Sequence, residues 1–244
     1  VGLVAPALVQ HLAVPQQAVR LQAAQDGIGG ARHHARCVQI VDAQQPAAAC
    51  AARHSGTNTT ANQPVASCFF KNAAAHGTKI IVVDPRATVT ARAADLHLAL
   101  EPGSDVALFN AMLHVLRDEG FLKKEFVNRH TEGFSSLDPL LDHWTPERAA
   151  EVCGLPAAQI VQAARMFGTA KAALSLYCQG LNQSTSGTFK NSALINLHLA
   201  TGQIGKPGAG PFSLTGQPNA MGGREVGGMA NLLSGHRDLS SERD

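Results

Sequence analysis

Short apolar runs and apolar positions at helical spacing alternate along most of this chain. After a GTN turn, the stretch SGTNTTANQPVASCFFKNAAAHG (55–77) repeats Val65, Phe69 and Ala73 on a helical period, and Gly77 is a natural stop. TKIIVVD follows. Its run Ile80–Val83 is β-branched throughout, with polar ends and a helix beside it, which predicts a buried parallel strand. LHLAL (96–100) predicts a second short strand. Asp105 caps a predicted helix through Glu119, with Val106, Phe109, Leu113 and Leu116 on one face and Gly120 at its end. Thr145–Pro146 places a cap before proline at a first helical position. A helix over 156–167 turns Ile160, Val161, Ala164 and Phe167 inward, and Gly168 stops it. AALSLY (172–177) predicts another strand, CQGLNQSTSG a polar loop, and 188–200 a helix with Leu194, Leu197 and either Leu199 or Ala200 inward. There is no internal repeat.

Strand, polar loop and helix in repetition give an α/β fold class: an open, mostly parallel sheet with flanking helices, of dinucleotide-binding-like kind. In such sheets ligands bind outside the carboxyl ends of the strands. Those ends carry GTN (56–58, provided a strand precedes it), DPR (84–86), GSD (103–105) and QGLNQ (179–183). Side chains of these types, with the free N–H groups of helix starts, suit a nucleotide and its pyrophosphate. Asp84 or Asp105 can accept from ribose hydroxyls or guanine amino groups, and Arg86 can pair a phosphate. The pattern is not specific. Asp84 equally suits a plain strand-end turn with Pro85, and Gln179 and Gln183 equally suit ordinary loop hydrogen bonds. No GxGxxG follows a strand and no GxxxxGK[ST] is present, so neither the usual dinucleotide fingerprint nor a P-loop is available. His97, His114, His130, His143 and His198 are scattered and read as ordinary surface or core residues.

Composition narrows the picture further. The 244 residues suit one large or two small domains, and 45% hydrophobic content is enough for a core. A net charge of +2 gives no strongly basic face for nucleic acid. No run of apolar residues is long enough for membrane insertion. Residues 1–20 are broken by Gln10, His11, Pro15 and Gln16 and do not read as a signal peptide. Cysteines stand at 37, 50, 68, 153 and 178 with no CxxC pair. That odd, scattered set argues against a disulfide framework or a self-contained zinc or iron–sulfur site, so no metal ligand is assigned and a reducing, cytoplasmic location is expected. Residues 1–54 stand apart: they lack Ser, Thr, Asn, Lys, Glu, Met, Phe, Tyr and Trp. PAAACAARHS (46–55) is a poor strand by propensity where the fold wants a hydrophobic one. The expectation is that 1–54 is atypical, either read out of frame or a disordered extension, and that the chain, which does not open with methionine, is an internal fragment.

The segment SLTGQPNAMGGREVGG (213–228) holds five glycines in sixteen residues, and its only charges are Arg224 and Glu225. Glycine costs about 0.5–1 kcal/mol relative to alanine inside a helix or strand. So many of them suggest backbone lying against something large and polar. With YCQGLNQS (177–184) and LATGQIGKPGAGPFSLTGQPNAMGGREVGG (199–228), this region resembles the molybdenum oxidoreductases of the dimethyl-sulfoxide-reductase family, nearest the catalytic subunits of assimilatory-type nitrate reductases. GTNTTANQPVASCFFKNAAAHG and IIVVDPRAT resemble that family too, and there formate dehydrogenases are about as similar. The likeness covers roughly 55–240.

The resemblance implies a bis-molybdopterin guanine dinucleotide cofactor carrying molybdenum. It places Gly56, Thr57, Asn58 and Thr59 at a first guanine-nucleotide turn, Asp84 and Arg86 near the guanosine, Gly103, Ser104 and Asp105 at the next loop, and Gln179 and Gln183 nearer the metal. Arg224 falls near the substrate funnel, where a cation draws in nitrate, with Gln217 and Met221 as neighbours. The implied partners are nitrate and an electron donor protein or reductase subunit, reached through a 4Fe-4S cluster. The cluster's cysteines and the molybdenum-ligating cysteine belong upstream of residue 55 and are not found there. Domains are expected at 55–210, a cofactor-binding α/β domain, and 211–244, the start of a second α/β domain. The alternatives are a formate dehydrogenase-like molybdoenzyme, against which Gln63 counts where many such enzymes have histidine, and a non-catalytic electron-transfer relative. The fragment alone is expected to be inactive.

Overall fold

The computed structural model describes residues 50–55, 59–62, 64–214, 220–228 and 233–237. The chain divides into two units, Val1–Phe212 and Ser213–Asp244. Strands β1 (Cys50–Ser55), β2 (Lys79–Val83), β3 (Leu96–Leu98), β4 (Ala172–Tyr177) and β5 (Gly210–Ser213) form one sheet in the order β3-β2-β1-β4-β5. Helices α1 (Thr59–Asn62) and α2 (Pro64–Ala75) join β1 to β2, and α3 (Val89–Arg92) joins β2 to β3. A helical layer follows: α4 (Asp105–Asp118), α5 (Lys124–His130), α6 (Asp138–His143), α7 (Pro146–Cys153) and α8 (Ala157–Gly168). Then α9 (Gln179–Asn182) and α10 (Gly187–Ala200) lead from β4 to β5.

The alternation of β2 is used on both faces. Ile81 and Val83 join the main core with α4, whereas Ile80 and Val82 pack with Ala91 in a second cluster. This two-sided burial is what the run of β-branched residues predicts. The centre of the main core is α4, where Leu108, Phe109, Ala111, Met112 and Leu116 are fully enclosed. The predicted inward set Phe109, Leu113 and Leu116 is buried, with Val106 half-buried. In α8, Ile160, Ala164 and Phe167 are buried and Val161 half-buried. In α10 the inward set contains both Leu199 and Ala200.

Three expectations need correction. Residues 50–55, a poor strand by propensity, form the central strand β1, paired parallel from Ala51↔Lys79 to Ser55↔Val83 and from Cys50↔Ala172 to Ser55↔Tyr177. Two flanking strands supply its backbone hydrogen bonds, and tertiary pairing overrides weak local preference. Residues 1–49 lie outside the described residues. Second, α2 turns differently from its Val65–Phe69–Ala73 stripe. Ser67, Phe70 and Ala73 are buried, whereas Val65 is 74% and Phe69 49% exposed. The short Ser67 and Ala73 let the helix settle close, and Phe70 supplies the inward bulk. Third, QGLN is a helical turn rather than loop. Leu181, 1% exposed, anchors it, and Asn182 and Gln183 N–H groups donate to the Cys178 and Gln179 carbonyls at 3.0 and 2.9 Å.

In the second unit, α11 (Ala220–Glu225) is a short helix. No described helix is long and apolar enough to cross a membrane.

Candidate cofactor site

β1 runs parallel to both β2 and β4, and β2 parallel to β3. Their carboxyl ends therefore share one edge of the sheet. The strand order reverses at β1, with β2 and β3 to one side and β4 and β5 to the other. That boundary is the topological switch point, where open α/β sheets leave a crevice for ligand. β1 ends with Ser55 at this point, and Gln179–Gln183 follows the end of β4 beside it. Gly56, Thr57, Asn58 and Gln63 lie outside the described residues.

Among the described residues, the predicted cofactor contacts gather along this edge. Thr59 opens α1 with no exposed surface. Its neighbour Thr60 is tied to α3: Thr60 N–H donates to Thr90 Oγ1, and that hydroxyl donates to Thr60 Oγ1, both at 3.0 Å. Asp84 directly follows β2, with its side chain buried. Its Oδ1 accepts the Arg86 N–H at 2.8 Å, and His97 Nε2 donates to its carbonyl at 2.8 Å. This folds DPR into a tight turn and leaves the Arg86 side chain 77% exposed, with its Nε a loose 3.9 Å from Asp84. Arg86 is thus free to meet an anion at the strand ends. Gln179 and Gln183 are exposed at the two ends of α9.

The GSD loop is more committed. Gly103 is exposed, and Ser104 Oγ donates to the Glu101 carbonyl at 2.7 Å. Ser104, not Asp105, is the helix cap residue. Asp105 is the first residue of α4, and its Oδ2 meets Lys190 Nζ of α10 at 2.7 Å with both side chains largely enclosed. The helix start also favours its negative charge. Sequence reading missed Lys190. The available signal was a lysine on the apolar stripe of α10, four residues before Leu194 and seven before Leu197. It also missed Asn191. That amide donates to Asn182 Oδ1 at 3.2 Å and to the Gly187 carbonyl at 2.8 Å, and its own Oδ1 is buried without a partner among the described residues. An unpartnered acceptor beside α9 suits a ligand donor.

Of the three residues predicted near the substrate, Gln217 lies outside the described residues, and Met221 and Arg224 belong to α11 of the second unit.

A molybdopterin oxidoreductase family model matches residues 52–242. The chain belongs to the molybdopterin oxidoreductase family. Over 191 residues it is 48% identical to a nitrate reductase from Synechocystis, covering 76% of this chain and 26% of that protein. It is 40% identical over 189 residues to the F420-dependent formate dehydrogenase 1 subunit alpha of Methanococcus maripaludis, covering 78% and 28%. Among solved structures, acetylene hydratase from Pelobacter acetylenicus matches with a TM-score of 0.62 at 30% identity, covering 65% of this chain and 22% of that one. The chain thus spans about a quarter of the length of the curated relatives it matches.

The residues at the strand ends fit the organic part of a molybdopterin cofactor. Arg86 offers an exposed cation, Gln179 and Gln183 offer amides, and Asn191 an acceptor with no partner among the described residues. Among the described residues no three His, Cys, Asp or Glu side chains converge as metal ligands.

Proposed function

We propose that this chain is part of the catalytic subunit of a molybdenum nitrate reductase, reducing nitrate to nitrite at a bis-molybdopterin guanine dinucleotide centre. The observation that carries the reading is the 48% identity to a nitrate reductase across the whole matched stretch, against 40% to a formate dehydrogenase over nearly the same length. When bound, the molybdenum–pterin group supplies the two-electron oxygen-atom transfer that turns nitrate into nitrite and water. The residues here bind, orient and attract. The turn at Asp84–Arg86 takes the guanosine and its phosphates, with Arg86 as the exposed cation. Lys190 holds Asp105 in a single orientation at the start of α4. Gln179 and Gln183 bracket the cofactor on the β4 side of the switch point. Arg224 draws the nitrate anion inward, with Gln217 and Met221 lining the same funnel. A 4Fe-4S cluster in the longer parent, fed by an electron donor protein, is consistent with this reading.

Two predictions test these roles. Arg86→Gln removes one charge-assisted bond and should weaken GDP binding by the full chain about tenfold, the equivalent of roughly 1.4 kcal/mol, by isothermal titration calorimetry. Equal affinity would remove Arg86 from the site. In the full-length enzyme, Arg224→Ala should raise the nitrate KM about tenfold, or cut turnover, with molybdenum content unchanged. The parent enzyme, assayed with a reduced viologen and nitrate and separately with formate, should turn over nitrate alone. Formate oxidation without nitrate reduction would move it to the second reading, which the 40% identity to a formate dehydrogenase supports.

A further inference from the structure

An open depression of about 470 Å³ lies on the first unit between α5 and the turn that follows α10, lined among others by the exposed Lys123, Lys124, Glu125, Arg129 and Lys206 and by His130. It lies far from the crevice described above. α4 starts beyond the carboxyl end of β3 and runs back, so its end and Lys123 reach the amino edge of the sheet. α10 does the same after β4. Gln203, just past α10, accepts the Ala173 N–H at 3.1 Å and donates to the Ala170 carbonyl at 2.9 Å, which fixes this turn at the amino end of β4.

The two walls are locked together. Lys123 N–H donates to the Ala200 carbonyl at 2.9 Å. Gly202, at φ +61°, leaves room for the Lys123 stem, since a Cβ there would sit 3.3 Å from Lys123 Cγ. The charge is one-sided. Arg129 is matched by Glu125 at 3.3 Å, whereas among the described residues Lys123, Lys124 and Lys206 have no carboxylate within ion-pair distance. Burial, and then the neighbouring Lys123, push the Lys206 ammonium below the ordinary lysine value. Like charges lining one site repel unless an anion joins them. The rings of Phe126 and His130, with centroids 4.8 Å apart, add an aromatic surface to the same wall.

We propose that this depression is a second, peripheral binding site for a small phosphorylated ligand carrying at least two negative charges, seated on Lys123, Lys124 and Lys206. A concave site of this volume is sized for a small molecule of nucleotide class. The proposal stands apart from the nitrate reading, because the depression shares no residue with the strand-end crevice.

The test is a calorimetric titration of the full chain with inorganic pyrophosphate at low ionic strength. The wild type, Lys123→Gln/Lys206→Gln, Lys206→Arg and Arg86→Gln are compared, and circular dichroism melts check that each is folded. Saturable binding that weakens at least tenfold in the double glutamine variant, is kept by Lys206→Arg and is unaffected by Arg86→Gln is the expected result. Binding lost with Arg86→Gln but kept by the double variant would assign the pyrophosphate to the strand-end crevice and overturn the proposal. So would the absence of saturable binding.

Discussion

Lys190→Ala is expected to destabilise the chain by about 3–5 kcal/mol, because it strands a buried carboxylate. Lys190 Nζ lies 2.7 Å from Asp105 Oδ2, and the side chains are only 6% and 12% exposed. Removing the ammonium leaves Asp105 enclosed at the start of α4 with the helix N–H groups as its remaining support. Those are worth about 0.3–1 kcal/mol at ordinary helix starts, so they offset a minor part of the loss. For a chain of this size each kcal/mol moves Tm by about 2–4 °C, so a fall of about 10 °C is expected. The companion experiment is Lys190→Met with Asp105→Leu, which removes both charges and should recover most of the stability. Urea denaturation of the set gives the answer. A single-variant loss under about 1 kcal/mol would mean that solvent screens the pair.

The pair also restricts what Asp105 can do. One of its oxygens is bonded to Lys190, so any ribose or guanine contact falls to the other. Arg86 stands at the opposite extreme, with 77% of its side chain exposed and only a loose contact to Asp84. In the proposed site the two strand-end loops would divide the work, with GSD as a fixed acceptor on a helix start and DPR as an adjustable cation.

What was legible in the sequence follows from where its signals came from. β4, β2 and the helices α4, α8 and α10 are written locally, as β-branched runs or as repeats near the helical period, and all formed within a residue or two of expectation. β1 is not written locally. CAARHS becomes the central strand because strands on both sides pair with it, a non-local cause that propensity cannot register. The phase of α2 was misread because Phe69 and Phe70 adjoin, and either fits a helical stripe. Burial chose Phe70. In QGLN the polar residues concealed the one that mattered, Leu181, whose burial winds the segment into a turn. The loops named for the candidate site could be placed on one edge of the sheet because carboxyl ends of parallel strands follow from topology. Lys190 and Asn191 were missed because both sit on a helix read only for its apolar face.

Gly187→Ala carries the second large effect and tests the site through its scaffold. A Cβ at Gly187 would lie 2.8 Å from the Asn182 carbonyl oxygen and 2.9 Å from that of Leu181. Both are backbone atoms and cannot rotate aside. The methyl must displace either the first turn of α10 or the whole of α9. Overpacking of this kind costs about 1–3 kcal/mol. α9 is the weaker element, a single turn anchored by Leu181, so it should move, carrying Gln179 and Gln183 away from the switch point. The expected result is a stability loss of about 1–3 kcal/mol together with weakened GDP binding, whereas Arg86→Gln should weaken binding with stability unchanged. Full GDP affinity in a destabilised Gly187→Ala chain would take α9 out of the nucleotide site. Gly223 in α11 makes the contrast, since a Cβ there meets nothing within 4 Å among the described residues. Gly223→Ala should leave the stability of the chain unchanged or slightly raised. If it still lowers the molybdenum content of the full-length enzyme, the atom its bare backbone makes room for lies beyond the described residues, in the cofactor or elsewhere in the enzyme.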